Sequence, residues 1–414
     1  METINRGDAY LEIQPSEIRA LEENYLFATY KRYNVIFSHG QGAYLYDIEG
    51  KRYLDFLAGI AVNSLGYNHP RMVRVLLEQG QRLIHCSNLF YHPYQGQLAR
   101  RLANLSGMEK VFFTNSGTEA IEAAIKFSRA YGHTRGGPEK SRILALPNSF
   151  HGRTFGALSV TAQEKYKAKF LPLLPEVQIL EEISPAALEM SMNDGVCALI
   201  FEPIQGEGGI VPIPAEFAQK ARELCSKYDA LLVLDEIQCG LGRTGKHFAY
   251  QQLGITPDLV ALAKPLGGGY PMGAVLGSGS VADCLQYGDH GTTFGGGPLA
   301  CRLALEFLDV IDDEALLGHV ADIGGYLVKG LAAMKPRHPS MGEIRGMGLI
   351  LGIELGNIAK NVVELLLSKG IVANVAHDTV LRLLPPFIIT HKEVDDFLKI
   401  LDTVLSEAEI AYVR

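Results

Sequence analysis

Two short apolar runs in the middle of the chain each end in a residue that could take part in chemistry. Residues 231–234 are followed by Asp235, and residues 258–263 (DLVALA) are followed by Lys264. Uninterrupted apolar runs of this length are typical of strands that are buried on both faces of a parallel sheet. Since ligands of open α/β sheets bind beyond the carboxyl ends of the strands, we expect the carboxylate and the amine to share one site.

A carboxylate and an amine at one site suit pyridoxal phosphate, which needs a lysine for its Schiff base and an acidic partner for its pyridinium nitrogen. Taken alone, Asp235 or Lys264 would more often mark only the point where a strand meets solvent. The segment Pro-Leu-Gly-Gly-Gly after Lys264 changes this balance, because glycine lets the backbone approach a ligand closely. The sequence therefore favours a cofactor site over two unrelated strand ends.

The spacing of these residues resembles a signature of the class III, or ornithine-type, aminotransferases. That signature is apolar-Asp-Glu-x-Gln, a spacer, and Asp-apolar-apolar-x-x-x-Lys, and the matching residues are Asp235, Glu236, Gln238, Asp258 and Lys264. Further landmarks in the family's order are HGQGAYLYD, FTNSGTEAIEAAIK, FHGR, EPIQGEGG, HGTTFGG and RGMGL. Within the family, LDFLAGIAVNSLG and TNSGTEA are most similar to the acetylornithine aminotransferases.

The alternation of apolar runs and helical patterns predicts an α/β protein. A helix is predicted over residues 116–131, and short strands are predicted at residues 111–113, 143–146, 198–201, 231–234 and 259–263. Such alternation implies a mostly parallel sheet with helices on its faces.

The resemblance implies fold type I of the pyridoxal-phosphate-dependent transferases. We expect a large domain at residues 61–300, built on the mostly parallel sheet. A smaller α+β domain would combine residues 1–60 with residues 301–414. The family also implies a homodimer whose active sites lie at the subunit interface.

Composition limits the kind of partner. The chain has 414 residues, of which 47% are hydrophobic and 20% charged, with a net charge of −8 and a pI near 5.9. This balance argues against nucleic acid or an anionic membrane as the main partner. No apolar run reaches the ~18 residues of a membrane span, and the N-terminus has no signal-peptide core. Six scattered cysteines form no CxxC pair, so a metal site is not expected and a cytoplasmic location fits.

The segment TNSGTE joins a predicted strand to a predicted helix. Unpaired N–H groups and the dipole at a helix start favour a phosphate. The same residues could form a capping box, with Ser116 as N-cap and Glu119 three positions later, and a segment of this kind alone is more often only a cap. Together with Lys264 the phosphate interpretation is favoured, since a helix start can serve both roles. The resemblance implies that Ser116, Gly117 and Thr118 bind the cofactor.

The segment FHGR follows another predicted strand end. An aromatic ring there could stack on a flat pyridine ring, although a single Phe more often fills the core. The resemblance implies that Phe150 covers one face of the cofactor, that His151 contacts the cofactor, and that Arg153 binds a substrate carboxylate. Arginine suits that task because its planar fork binds carboxylates bidentately. Without the resemblance Arg153 would be interpreted as a surface ion-pair residue.

Four further residues enter only through the resemblance. It implies that Gln238 contacts the 3-hydroxyl of the cofactor and that Thr293 binds the phosphate across the homodimer. Tyr30 would be a partner of Arg153 at the substrate. Gly297 departs from the family, in which many members carry Asn, and this difference puts the local turn in question.

Arg382 and Glu207 are the remaining candidate substrate residues. The resemblance implies that Arg382 binds the alpha-carboxylate of glutamate or 2-oxoglutarate, whereas Glu207 alone would be interpreted as a solvated loop acid. During a half-reaction with N-acetylornithine, Arg382 would face an uncharged chain, and an unpaired buried guanidinium is unfavourable. We therefore expect Glu207 to pair with Arg382 in that state and to swing away when glutamate binds.

Together, these residues and the resemblance predict a ping-pong aminotransferase. It would move the terminal amino group of N-acetylornithine, or a similar omega-amino acid, to 2-oxoglutarate, giving a semialdehyde and glutamate in arginine biosynthesis. Succinylornithine, ornithine, 4-aminobutyrate and a carrier-bound aminoadipate semialdehyde are alternative substrates. An aminomutase of the glutamate-1-semialdehyde type is an alternative from another class, but Arg153 and Arg382 together favour a transaminase for substrates with two carboxylates. A catalytically inactive relative is disfavoured by the intact Lys264, Asp235 and Gln238.

Overall fold

The computed structural model describes residues 13–413, so the first twelve residues of the predicted 1–60 segment lie outside the described part. Several helices begin with proline, whose fixed φ suits the first helical position. Within residues 13–413, no helix combines the length and apolar character needed to cross a bilayer. The α-helices are Pro15–Tyr25, Ala58–Ala61, Pro70–Arg82, Gln95–Ser106, Gly117–Gly136, Phe155–Val160, Glu164–Lys167, Pro185–Ser191, Ala215–Lys227, Gly279–Ala282, Pro298–Asp313, Leu316–Met334, Ala359–Ser368 and His391–Val413.

The strands of the described residues fall into four sheets. In chain order they are β1 (Phe37–Gln41), β2 (Tyr44–Asp47), β3 (Arg52–Asp55), β4 (Lys110–Thr114), β5 (Arg142–Ala145), β6 (Val177–Ile179), β7 (Val196–Phe201), β8 (Ile204–Gln205), β9 (Val211–Pro212), β10 (Leu231–Asp235), β11 (Leu259–Leu262), β12 (Gly273–Gly277), β13 (Ile344–Met347), β14 (Ile350–Glu354), β15 (Ile371–Val372), β16 (Asn374–Ala376) and β17 (Val380–Leu383).

The largest sheet has seven strands in the order β4-β12-β11-β10-β7-β5-β6. The pairs β11–β10, β10–β7, β7–β5 and β5–β6 are all parallel. All five predicted strands are present, and the expectation of a mostly parallel sheet is confirmed. The central strands β7 and β10 are buried along their whole length, as expected for strands covered on both faces.

Two strands of this sheet, β6 and β12, were not predicted. β12 has the sequence GAVLG and is antiparallel to both β11 and β4. A β-carbon at Gly273 would lie 2.4 Å from Thr114 Oγ1, so the close approach of β12 to β4 requires glycine. A five-residue run with glycine at both ends has a weak strand signal, because glycine disfavours strands.

The predicted helix over residues 116–131 is confirmed, but it continues to Gly136. Its buried side is rich in small residues, including Ala120, Ala123 and Ala124, which let it lie close to the sheet. The N-terminus of this helix follows β4 directly and faces the carboxyl edge of the sheet.

Residues from both ends of the chain meet in a smaller sheet of order β1-β2-β3-β15, in which β15 is parallel to β3. A second four-stranded sheet, of order β13-β14-β17-β16, is antiparallel throughout. Between the large sheet and this antiparallel sheet, β8 and β9 form a short two-stranded hairpin. β15, from the C-terminal part of the chain, thus extends a sheet whose other strands lie within residues 37–55.

Candidate active site

A cavity of about 420 Å³ lies beyond the carboxyl ends of β10 and β11. Asp235 is the last residue of β10 and pairs with Ala261 of β11, three residues before Lys264. The two parallel strands therefore bring both predicted catalytic residues to one cavity. The predicted residues that line it are Ser116, Gly117, Thr118, Phe150, His151, Arg153, Asp235, Gln238 and Lys264.

Lys264 opens a short 3-10 turn, Lys264–Gly267, and has a φ of 45°. A non-glycine residue in this left-handed region is held there by its surroundings. Burial lowers the pKa of the Lys264 amine, as does the nearby Arg382, whereas Glu207 and Asp235 oppose the shift. The amine is therefore neutral more readily than an exposed lysine, which suits a nucleophile or a base.

Asp235 is buried at 3% exposure, and both of its oxygens have a partner. The N–H of Ile237 donates to Oδ1 (3.0 Å), and His151 Nδ1 lies 2.7 Å from Oδ2. Since an ionised carboxylate only accepts hydrogen bonds, Nδ1 carries the proton in that pair. The other ring nitrogen, His151 Nε2, is buried with no partner among the described residues.

Sequence reasoning did not predict that Glu202 and Glu236 are buried acids close to this site. Glu202 accepts the N–H groups of Phe150 and Gly206, both at 2.9 Å, and burial raises its pKa to about 7. Glu236 accepts two further backbone N–H groups, each at 2.8 Å, and burial raises its pKa to about 7 as well. Glu202 follows the apolar run at residues 198–201, the same signal that identified Asp235.

The start of the Gly117–Gly136 helix serves as a cap and also lines the cavity. Ser116 Oγ accepts the N–H of Glu119 (3.3 Å), and the Glu119 carboxylate accepts the N–H of Asn115 (2.7 Å). The capping alternative is thus present in the structure, shifted by one residue. The N–H groups of Gly117 and Thr118 have no acceptor within the helix, and both residues line the cavity.

Thr118 also orders the segment that carries Arg153. Its Oγ1 accepts the N–H groups of Arg153 and Thr154, both at 3.2 Å. The exposed guanidinium of Arg153 lies 3.7 Å from the ring centre of Tyr166 and 5.5 Å from that of Phe150. These stacking contacts hold Arg153 at the rim of the cavity, and none of the acids within residues 13–413 forms an ion pair with it.

Arg382 and Glu207 form an ion pair next to Gln238. Arg382 is only 1% exposed, and its Nη1 donates to Glu207 Oε1 and to Gln238 Oε1 (3.4 Å). Its Nε donates to Asn374 Oδ1 (3.1 Å). Burial raises the pKa of Glu207, but Arg382, Lys264 and Gln238 together outweigh this effect and the net pKa is lowered. The pair expected from the sequence is therefore formed in this structure.

The structure does not bring Tyr30 or Thr293 to the cavity within one chain. Tyr30 is 78% exposed and lines a separate cavity formed by residues 18–37. Thr293 is exposed beside Asn115 and Glu119, on the outer side of the helix start. Their roles stay predictions. Gly297 has a φ of −62°, which any residue can adopt, so the turn does not need the conformational freedom of glycine. A β-carbon there would lie 3.1 Å from the carbonyl oxygen of Phe294.

Comparisons with known proteins identify the family to which the chain belongs. The family described as Aminotransferase class-III matches residues 27–405. An acetylornithine aminotransferase from Caldanaerobacter subterraneus subsp. tengcongensis is 45% identical over 387 residues, which cover 93% of this chain and 98% of that protein. The solved N-acetylornithine aminotransferase from Stenotrophomonas maltophilia K279a has a TM-score of 0.83 and 36% identity, covering 95% of this chain and 99% of that one.

An ornithine aminotransferase from Toxoplasma gondii, solved with partial occupancy of PLP at its active site, has a TM-score of 0.94 and 33% identity. That comparison covers 100% of this chain and 99% of the other. The chain thus belongs to the class-III aminotransferases. Members of this family are enzymes that use pyridoxal 5′-phosphate and act on an amino donor and an oxo acid.

The residues of the cavity fit this cofactor. A β-carbon at Gly117 would lie 2.9 Å from Ile237, so glycine lets Ile237, which also lines the cavity, pack closely against the helix start. Lys264 offers an amine with a lowered pKa, and Asp235 offers a buried carboxylate that is held by His151. Phe150 offers an aromatic face at the cavity wall. Amine, carboxylate, aromatic face and anion-binding helix start are the groups that pyridoxal phosphate requires.

Proposed function

We propose that this enzyme transfers the terminal amino group of N-acetylornithine to 2-oxoglutarate, forming a semialdehyde and glutamate, as a step of arginine biosynthesis. The ion pair between Glu207 and Arg382 carries this proposal. A pocket with a neutralised arginine accepts the uncharged chain next to the terminal amine of an omega-amino donor, and the same arginine binds a carboxylate once Glu207 releases it. The 45% identity to an acetylornithine aminotransferase supports the choice of donor.

We propose that Lys264 and Asp235 are the catalytic residues. Bound in the cavity, pyridoxal phosphate supplies an electron sink for the substrate carbon that loses a proton. Lys264 Nζ, whose pKa is lowered by burial and by Arg382, removes that proton and returns it. Asp235 supplies the negative charge that keeps a pyridinium nitrogen protonated, and His151 fixes the orientation of that carboxylate.

The remaining cavity residues bind the cofactor in this proposal. The N–H groups of Ser116, Gly117 and Thr118 hold the phosphate at the helix start. Phe150 packs against one face of the ring. Gln238 binds the 3-hydroxyl and, through its contact with Arg382, links the cofactor to the substrate pocket.

We propose different roles for the two arginines at the substrate. Arg153 is exposed at the rim and has no acidic partner within the described residues, so it can bind the far carboxylate of either substrate. Arg382 is buried and paired with Glu207, so it binds a carboxylate only when that pair opens. N-acetylornithine has one carboxylate, and glutamate has two. This difference in charge explains why one pocket needs an arginine that can be neutralised.

We also propose a homodimer in which Thr293 and Tyr30 complete the site of the neighbouring subunit. Both residues are exposed, and neither lines the cavity of its own chain. Large apolar side chains that a monomer would leave in water lie close to the Thr293 loop, and a partner subunit would cover them. These side chains are Leu83, Ile84, Leu89, Phe90, Tyr91 and Phe294.

The division into a large domain at residues 61–300 and a smaller one at residues 1–60 and 301–414 is retained as a proposal. The pairing of β3 with β15 supports the union of the two ends.

A panel of amino donors tests the proposed reaction. The purified enzyme with added cofactor is incubated with 2-oxoglutarate and with each of N-acetylornithine, succinylornithine, ornithine and 4-aminobutyrate, and the glutamate formed is measured. We expect the highest kcat/KM with N-acetylornithine. A higher value with another donor would reassign the substrate, and the absence of glutamate with every donor would favour an aminomutase, which retains its amino group.

A further inference from the structure

The hairpin that carries Glu207 has little rigidity of its own. β8 and β9 pair over only two residues each, and residues 206–210 connect them. Three of these five connecting residues are glycine, which fixes no preferred backbone conformation. The position of the Glu207 carboxylate therefore depends on contacts that the connection makes with the rest of the molecule.

One end of the connection is attached to the large sheet. The N–H of Gly206 donates to Glu202 Oε2 (2.9 Å), and Gln205 Nε2 donates to the carbonyl of Pro147 (2.8 Å). Glu202 is the residue that follows β7. This end is thus held by the rigid edge of the cofactor site.

The other end is attached to the antiparallel sheet through Arg345 of β13. Arg345 Nε donates to the carbonyl of Gly209 at 2.8 Å. Its two remaining nitrogens form ion pairs with Glu343 (3.3 Å) and Glu354 (3.1 Å), and the side chain is 14% exposed. The acids keep the guanidinium in place, so a single, well-oriented donor meets Gly209.

The register of the sheet sets Arg345 and Arg382 in one row. Arg345 pairs with Gly352 of β14, Gly352 pairs with Arg382 of β17, and Arg382 pairs with Asn374 of β16. Directly paired residues of antiparallel strands point to the same face. The two arginines therefore stand on one face of the sheet with a glycine between them.

Gly352 leaves a space in that row, and Ile210 occupies it. A β-carbon at Gly352 would lie 2.9 Å from Ile210 Cβ. Ile210 is fully buried and has a φ of 56°. The connection thus lies across the row, with Arg382 bound to Glu207 and Arg345 bound to Gly209.

We propose that Arg345 is a positioning residue for the Glu207–Arg382 pair and thereby sets the selectivity of the enzyme between its two substrates. This inference rests on the proposed function, because it assigns a residue to the pair that neutralises Arg382. Arg345 acts through the backbone of Gly209 and does not contact the substrate. When Arg345 is lost, Glu207 spends less time on Arg382, and the pocket then carries an uncompensated charge during the N-acetylornithine half-reaction.

The main test compares the two half-reactions of Arg345→Gln by stopped-flow absorbance. We expect the N-acetylornithine half-reaction to slow by about tenfold, as for the loss of one charge-assisted hydrogen bond, and the glutamate half-reaction to stay near wild type. Arg345→Lys, which keeps a cationic donor, should recover part of the rate. Arg337→Gln, which removes another arginine paired with an acid (Asp402), is the matched control and should change neither rate.

Two further measurements separate positioning from a general loss of structure. In the enzyme without cofactor, amide exchange at residues 206–210 should accelerate in Arg345→Gln while exchange in β10 and β11 stays unchanged. Gly352→Ala, which displaces Ile210, should give the same selective slowing without any change of charge. Adding Arg345→Gln to Glu207→Ala should have no additional effect, since both changes act through one carboxylate.

The outcomes distinguish this inference from the function on which it rests. If Glu207→Ala slows the N-acetylornithine half-reaction selectively but Arg345→Gln and Gly352→Ala do not, the role of Arg345 is overturned and the proposed function stands. If Glu207→Ala slows both half-reactions equally, the switching pair is rejected, and the role of Arg345 with it.

Discussion

The acidic residues on the two sides of the cavity are held in different ways. On the side of the large sheet, Glu202 and Glu236 each accept two backbone N–H groups, and Glu236 also accepts the Cys239 thiol at 4.0 Å. Burial raises the pKa of each of these acids to about 7. On the side of the antiparallel sheet, Glu207 is paired with the side chain of Arg382, and its pKa is lowered although burial opposes the shift. The same residue type thus titrates in opposite directions within one site.

The cavity therefore has a fixed side, where backbone N–H groups hold the acids, and an exchangeable side, where the Glu207 carboxylate can be replaced by that of a substrate. Backbone donors cannot leave with a side chain, so the carboxylates at the large sheet stay where β7 and β10 put them. In an ion pair, one carboxylate can be replaced by another at a modest free-energy cost, because the second carboxylate carries the same charge. We therefore expect changes on the cofactor side to affect both substrates alike, and changes at Glu207 to affect only one.

The largest expected effect is on the fixed side, at Lys264. Lys264→Ala removes the amine that accepts and returns the proton, and we expect turnover to fall at least ~10³-fold with every donor. Multiple-turnover assays with N-acetylornithine and with glutamate measure it. Lys399→Ala, on the exposed face of the C-terminal helix, is the control. Wild-type turnover by Lys264→Ala would remove this residue from the chemistry.

A second expectation concerns stability and pH on the same side. Burial raises the pKa of Glu236 from 4.5 to about 7, so the folded state binds this proton more tightly than the unfolded state. The stabilisation is complete below pH 4.5 and is lost as pH rises through 7, by about 3 kcal/mol in total. Glu236→Gln should flatten this part of the pH profile, as measured by denaturant midpoints from pH 4 to 8.

The pH dependence of stability should have the opposite sign for Glu207. Its lowered pKa means that its stabilising effect is present above the unfolded pKa and is lost as pH falls through the folded value. Glu207→Gln should therefore change the acid side of the profile and leave the range from pH 5 to 7 as in wild type. Identical profiles for the two variants would contradict the contrast between the two sides.

Asp235 should show a smaller effect than Lys264, again without substrate preference. Asp235→Asn retains the size and the hydrogen-bonding positions near His151 and Ile237 but removes the charge. We expect both half-reactions to slow by about 10²-fold, since a preorganised charge is lost at the reacting group. Slowing of only one half-reaction would mean that Asp235 belongs functionally to the substrate side.

The same contrast explains what could be predicted from the sequence. Asp235 and Lys264 follow apolar strands, and Ser116 begins a helix, so local patterns revealed them. Parallel pairing of neighbouring strands then brings such residues together at one edge of a sheet. The signal that identified Asp235 also precedes Glu202, which was missed because the burial of an acid cannot be recognised without its donors.

Long-range geometry accounts for the features that the sequence did not reveal. Arg345 is separated from Gly209 by more than a hundred residues, and only the register of β13, β14 and β17 aligns it with Arg382. β12 was not predicted because its glycines weaken the strand pattern, although the same glycines permit its close contact with β4. The resemblance to a known family supplied the role of Arg382, and the cost of leaving its guanidinium unpaired beside an uncharged chain then indicated Glu207 as its partner.

The smallest expected effect is at Glu207, and it is also the most selective. In the N-acetylornithine half-reaction, Glu207→Ala leaves the buried guanidinium of Arg382 beside an uncharged chain, and we expect that half-reaction to slow by about tenfold. In the glutamate half-reaction the near carboxylate of the substrate replaces Glu207. Nothing has to be displaced in the variant, so this half-reaction should proceed at the wild-type rate or faster.

Stopped-flow absorbance of each half-reaction measures this selectivity, and Glu207→Gln serves as the matched variant. Glutamine keeps the length of the side chain and one acceptor for Arg382 but no charge, so it should slow the N-acetylornithine half-reaction less than alanine does. Arg153, which has no acid to displace, should show no such asymmetry when changed to Lys. Equal slowing of both half-reactions by Glu207→Ala would place Glu207 with Glu202 and Glu236 as a fixed structural acid, and the exchangeable side of the cavity would then have to be sought at Arg153.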